Sequence, residues 1–245
     1  MAVVFVLAHF DDEYCALPLI REARAAGEAC RFLYVADYRS AAHAARRLRE
    51  TRRFLASLGL DPACAIHAGA ASGVFDGSVI DGLATALAAL RGVLDGPVTR
   101  LVVPAWEGGH PDHDACAVLA VVLAREMGGP PIRQFGLYTG RRFPRPFYRA
   151  CWPIPENGPA TPTPMRLADW LRWMAAVRFF PSQAWNWLGL WPAMFLTFAQ
   201  RGGFASQALA PERVRERPHA GRLHYEWMFR TPYERVRERA GALLG

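Results

Sequence analysis

Residues 2–8 form an unbroken apolar run rich in valine and phenylalanine, the pattern of a strand buried on both faces of a parallel sheet. Helical spacing follows: Ala16, Leu19, Ile20 and Ala23 fall on one face, and Gly27 supplies a stop. A second apolar run over 30–36 predicts a second strand. Ala44, Leu48, Phe54, Leu55 and Leu58 then predict a helix over 41–58 that ends at Gly59. The alternation continues with a helix over 79–94, a third buried strand within 100–104 and a helix over 114–127. Strands alternating with helices predict an α/β fold, a Rossmann-like open and mostly parallel sheet with helices on both faces. Sites in such folds form beyond the carboxyl ends of the strands.

The texture changes after Gly140. Pro144, Pro146, Pro153, Pro155, Pro159, Pro162 and Pro164 interrupt regular structure until a tryptophan-rich stretch over 167–204. Residues 1–140 are therefore expected as a catalytic domain and 141–245 as a C-terminal extension or cap packed on it. A chain of 245 residues that is 52% hydrophobic has ample material for such a core.

Charge adds a second layer. The net charge is +7, and all of the 29 cationic residues are arginine. A basic surface attracts anionic substrates, membrane faces or nucleic acid. Many arginines alternate with glutamates, over 213–217 and 234–239, which reads as solvated helix faces, so no nucleic-acid partner is expected. Five cysteines, an odd number without a C-x-x-C pair, fit a reducing cytoplasm. The first apolar run is far shorter than the roughly 20 residues that span a bilayer, and no signal peptide is expected.

Two clusters carry the candidate chemistry. His9-Phe10-Asp11-Asp12-Glu13 stands at the end of the first predicted strand, and His110-Pro111-Asp112-His113-Asp114 follows the third and opens a helix. Acids at helix starts also cap free amides and favour the positive end of the dipole, which is the plain alternative for each cluster. Histidine and aspartate at two strand ends are, however, the nitrogen and oxygen donors that a catalytic zinc accepts.

Ala8-His9-Phe10-Asp11-Asp12-Glu13 resembles the A-H-x-D-D-E signature of the PIG-L/LmbE-like N-deacetylases, and His110-Pro111-Asp112-His113 resembles their H-P-D-H motif. Weaker similarities are Arg47 with Glu50 and the following Leu58-Gly59, the turn Phe75-Asp76-Gly77, and the pair Ser182-Gln183. Phe10 stands where that signature often has proline, and Trp106-Glu107-Gly108-Gly109 has no counterpart.

The resemblance implies a zinc-dependent hydrolase acting on an N-acetylated amino sugar or glycoconjugate, with products acetate and a free amine. It makes His9, Asp12 and His113 the ligands of Zn2+, a set that Fe2+ or Co2+ also accepts. Asp11 becomes the general base and His110 a second catalytic histidine that, if protonated, stabilises the oxyanion. Asp112 either orients His110 or a ligand, contacts substrate, or caps the helix; Glu13 is either structural or part of the site, and Asp114 reads as a first-turn charge. Arg47 is the preferred grip for a polar or anionic substrate group, with Arg141 and Arg142 as alternatives. His43, His67, His219 and His224 read as ordinary histidines. Two other functions stay open: hydrolysis of a different amide, and a non-catalytic sugar- or nucleotide-binding module. No G-x-G-x-x-G follows the first strand, which weighs against nucleotides. Trp170, Trp173, Trp185, Trp187 and Trp191 are open to three readings: core of the cap, a surface for an apolar substrate tail, or a contact with a peripheral membrane surface or a partner copy.

Overall fold

Strand β1 (Ala2–Leu7) is fully buried from Val3 onward, and its side chains alternate between two cores. Val3, Phe5 and Leu7 pack with α1 (Leu17–Ala25) and α2 (Ala41–Ser57), whereas Val4 and Val6 pack with α3 (Leu83–Val93) and α4 (Pro111–Glu126). Period-two alternation of an all-apolar strand thus places helices on both faces. The structure, a computed structural model, describes residues 1–144 and 146–245.

The remaining strands are β2 (Ala29–Tyr34), β3 (Ala65–His67), β4 (Val98–Pro104), β5 (Ile132–Phe135), β8 (Thr161–Pro164) and β9 (Gly203–Ala208). They form one sheet in the order β3-β2-β1-β4-β5-β9-β8. Neighbours are parallel from β3 to β5, and β9 runs antiparallel to both β5 and β8. Phe5 pairs with Phe32 and Val102 in register, and the Phe5 and Phe32 rings stack at 4.5 Å. A small second ladder joins β6 (Tyr138–Thr139) to β7 (Arg149–Ala150). Helices α5 (Leu167–Ala175), α6 (Ala184–Arg201), α7 (His224–Met228) and α8 (Tyr233–Leu244) complete the chain.

The predicted α/β architecture is what the structure shows. Strand order explains where its crevice lies: the chain leaves β1 towards β2 and β3, then returns through α3 to β4 on the other side of β1. The carboxyl ends of β1 and β4 therefore flank the topological switch point. Helix α4 begins at Pro111, earlier than the predicted 114. A 3-10 turn, Val79–Asp81, precedes α3 where one continuous helix was expected, because Gly82 lies between them. Residues 141–245, expected as a cap, contribute two strands to the sheet as well as helices.

Candidate active site

Beyond β1 the chain turns sharply at Asp11, whose φ of 113° is unusual for a residue with a side chain and costs about 1–3 kcal/mol. Three contacts hold it there. The Asp11 N–H donates to Glu13 Oε2 at 3.0 Å, and Arg47 Nη2 donates both to the Phe10 carbonyl and, at 2.8 Å, to Asp11 Oδ1. The Asp11 side chain makes no capping bond to the 3-10 turn that follows, so capping does not explain it. Asp12 is fixed differently: its Oδ2 accepts the N–H groups of Ala8 and His9, both at 2.9 Å.

The loop beyond β4 is shaped by two glycines. Gly108 has φ +72° and its carbonyl accepts the His224 N–H at 2.8 Å, while a Cβ on Gly109 would lie 2.1 Å from the Tyr138 carbonyl oxygen. Buried acids tie this loop down. Asp114 accepts the N–H groups of Glu107 and Gly108 at 3.2 and 3.3 Å, and Glu107 accepts that of Leu137 at 2.8 Å. Asp114, expected as a first-turn charge, does lie in the first turn of α4 but is fully buried in that network, and burial pushes its carboxyl up to about 8.

His110 is the N-cap of α4, and its Nδ1 accepts the Asp112 N–H at 3.1 Å. That bond leaves the proton of the neutral ring on Nε2. Burial lowers the His110 pKa to about 3, which favours a neutral imidazole donor, whereas the resemblance makes its role at the oxyanion conditional on protonation. Asp112 accepts the N–H groups of Gly77 at 2.7 Å and Val79 at 2.9 Å, and lies 3.2 Å from His9 Nε2. It is fully buried and is not among the residues that line the cavity, which speaks against a substrate contact and leaves the orienting reading.

His9, Asp12 and His113 each present a donor atom within 4.8 Å of the others. His113 Nε2 is buried, lies 3.2 Å from Asp12 Oδ1 and makes no hydrogen bond. A buried ring nitrogen without a hydrogen-bond partner needs a reason, and a metal is a sufficient one. His9 directs Nε2 at Asp112 and, at 3.1 Å, at Asp76, leaving Nδ1 to face Asp12 Oδ1 at 3.8 Å. Two imidazoles and a carboxylate converge, with a second carboxylate on the outer nitrogen of one imidazole. This is the donor set, and the support behind it, that a catalytic zinc takes. A second grouping, His9, Asp76, His110 and Asp112, overlaps the first, but there both Asp112 oxygens accept backbone amides, whereas Asp12 takes its two amides on Oδ2 alone and keeps Oδ1 free of them.

These residues open on a cavity of about 440 Å3. Its polar floor is His9, Asp11, Asp12, His110 and His113 with Arg47 and Asp76, and its apolar wall includes Tyr138, Tyr148, Trp187 and Leu190. Burial pushes the Asp11 carboxyl up to about 7, against the opposing pull of Arg47, and a base near neutrality suits proton abstraction. Glu13, next in line, is fully buried behind Asp11. Glu50 of α2 holds the segment before α6 by accepting both the backbone N–H and the hydroxyl of Ser182.

Asp76 and His224 also line the cavity, and neither was assigned to a site from the sequence. The only sequence signal for Asp76 was its Asp-Gly turn. Its loop is brought back by the bridge between Asp37 and Phe75 and by the Asp76 N–H, which donates to the Asp37 carbonyl at 3.0 Å. Arg141 is paired with Glu156 at 2.6 Å, and neither it nor Arg142 lines this cavity. The tryptophans divide among roles. Trp170 and Trp173 are core, with Tyr14 and Trp173 exchanging side-chain-to-carbonyl bonds at 2.8 and 3.0 Å; Trp187 lines the cavity; Trp185 is 86% exposed.

The sequence over residues 4–124 matches the model of the PIG-L family, described as GlcNAc-PI de-N-acetylase. No curated protein matches the chain. Among solved structures, the fold is similar to that of a deacetylase triple mutant from the teicoplanin biosynthetic pathway, with a TM-score of 0.61 and 18% identity over 86% of this chain and 98% of that one. The N,N'-diacetylchitobiose deacetylase from Pyrococcus horikoshii gives a TM-score of 0.52 at 16% identity, over 89% of this chain and 87% of that one. Both acid-and-histidine clusters lie inside the matched region and converge on one cavity, and the chain belongs to the PIG-L family.

Proposed function

We propose that this chain is a metal-dependent hydrolase that deacetylates an N-acetylated amino sugar or glycoconjugate, with zinc as the metal. The observation that carries this reading is the strained Asp11 carboxylate, only 13% exposed, beside the His9, Asp12 and His113 donors in one cavity. The family description and the two deacetylases of similar fold support it.

Zinc bound by these residues supplies Lewis acidity, which acidifies a water and polarises the acetyl carbonyl. The protein supplies the rest. Asp11 takes a proton from the attacking water as its oxygen bonds to the carbonyl carbon. His110, neutral and with its proton on Nε2, donates a hydrogen bond to the oxygen that gains the charge. The proton held on Asp11 passes to the nitrogen, the C–N bond breaks, and acetate and the amine separate. Asp76, whose side chain is 43% exposed, offers an acceptor to sugar hydroxyls beside Arg47. All of the five cysteines are free, which suits a cytoplasmic setting.

The test is amine release from N-acetylglucosamine and from N-acetylated glycoconjugates by wild type and Asp11→Asn. Wild type should release amine, lose activity to a chelator and regain it with zinc. Asp11→Asn should fall by about 100- to 10,000-fold. Activity that survives either treatment defeats the reading.

A further inference from the structure

A second recess lies beside the catalytic cavity, and His224 lines both. It has a volume of about 300 Å3 and forms where the segment after β6 meets the turn that leads into α7. Arg142 and Phe143 come from the first of these, and His219, Arg222, His224 and Trp227 from the second. The His224 ring makes T-shaped contacts with Tyr138 of the cavity at 5.6 Å and with Trp227 of the recess at 5.3 Å. None of the metal donors reaches this recess.

His219 is the first sign of a ligand. It is only 3% exposed. Its Nδ1 lies 2.7 Å from the Ala220 carbonyl oxygen, which can only accept, so Nδ1 carries the ring proton. Nε2 is then a bare acceptor, and it is buried without a hydrogen-bond partner. Burial holds the His219 pKa below its ordinary value, so the ring is neutral at neutral pH. A buried acceptor left open on a recess needs a donor from outside the chain, and a hydroxyl is the neutral donor that fits it.

Charge is the second sign. No carboxylate lines the recess. Arg141 and Arg217, near enough to act on His219, are already paired, with Glu156 at 2.6 Å and Glu226 at 2.8 Å. Arg142 and Arg222 are exposed at its mouth and form no ion pair among the described residues; Arg222 Nη2 donates only to the Glu226 backbone carbonyl, at 3.3 Å. Two uncompensated guanidinium groups above a neutral floor favour an anion at the mouth. The volume holds several waters, more than a bare inorganic anion displaces, and Phe143 and Trp227 offer aromatic faces to a carbon skeleton.

We propose that this recess binds a hydroxylated anion of monosaccharide size, a sugar phosphate or a sugar acid. One hydroxyl donates to His219 Nε2, and Arg142 and Arg222 hold the phosphate or carboxylate. The site is separate from the metal donors and does not depend on the deacetylase reading.

Isothermal titration calorimetry on the metal-loaded full chain tests this. The probes are glucose 6-phosphate and glucuronate, with glucose and inorganic phosphate as controls that each lack one half of the recognition. At constant ionic strength and about neutral pH, glucose 6-phosphate or glucuronate should bind at least about tenfold tighter than either control. The tighter of the two probes identifies the anion as phosphate or carboxylate. Arg142→Gln should weaken that probe by about tenfold and leave the thermal melt unchanged, because Arg142 is exposed. His219→Phe should remove the advantage that a hydroxylated anion has over inorganic phosphate. Binding should also survive a chelator. Binding lost to the chelator, or indifferent to both substitutions, places the anion at the metal donors and overturns the proposal. So does the failure of both anionic probes to bind, since water alone then fills the recess.

Discussion

Arg47 is buried between two carboxylates, and its nearer partner is Asp11 at 2.8 Å, not a vacant binding position; Asp76 lies at 3.7 Å. From the sequence its place on the second helix pointed to a substrate grip. The structure shows that one guanidinium nitrogen holds both the Phe10 carbonyl and the Asp11 carboxylate, the bonds that keep Asp11 in its strained conformation. Arg47→Ala is therefore expected to lower kcat, by about 10- to 100-fold, more than it raises KM. Arg47→Lys should recover only part, since an ammonium lacks the planar fork. Asp76→Ala should do the reverse, raising KM with a smaller loss of kcat. Steady-state amine release separates the two, and a pure KM effect in Arg47→Ala would return Arg47 to a simple substrate contact. Asp11, Asp12, His110 and His113 stood out in the sequence because acids and histidines at strand ends are conspicuous. Asp76 did not, because its place in the cavity depends on a loop that pairs with Asp37 far away in the chain.

The two strand ends meet because of what supports them from behind. The start of α4 supplies His110 as its cap and His113 on its first turn, and Asp112 between them is the joint. Its carboxylate takes the N–H groups of Gly77 and Val79 and faces His9 Nε2, so one side chain links the loop before α3, the start of α4 and the end of β1. Asp112→Asn keeps an acceptor but loses the charge beside His9, and should lower zinc affinity by about 10- to 100-fold. Competition with a chromogenic chelator measures this, and unchanged affinity would confine Asp112 to its backbone bonds. Elements that were legible in the sequence were the long or strongly patterned ones, β1, β2, β4 and α1 to α4. Strands β3 and β5 have only three and four residues, too few to show a period. Strand β9, with the sequence GFASQA, carries Gln207 inward, where its carbonyl oxygen accepts from Gln134 at 3.3 Å. A buried polar pair of this kind erases the apolar alternation that marks a strand.

Across the molecule the site is held by acids that the fold keeps out of water. Glu107 binds the loop after β4 to the segment before β6 through the Leu137 N–H, and its other oxygen has no hydrogen-bond partner. A charge on it would be poorly compensated. Burial pushes its carboxyl up to about 8 from an ordinary 4.5. Between those two values the folded chain retains a proton that the unfolded chain has lost, so the linkage has a definite sign. Stability is highest at the acid end of the window and declines as pH rises towards 8. The decline is on the order of a few kcal/mol for a group shifted this far. Glu107→Gln preserves an acceptor for Leu137 and cannot ionise. Its unfolding free energy, measured by urea titration from about pH 5 to about pH 8, should fall less across that range than wild type's. Parallel curves for the two proteins would mean that Glu107 is already ionised in the folded state. The connection between the loop after β4 and the segment before β6 would then be an ionic one, with a stronger hold on the Leu137 amide than a neutral carboxyl has.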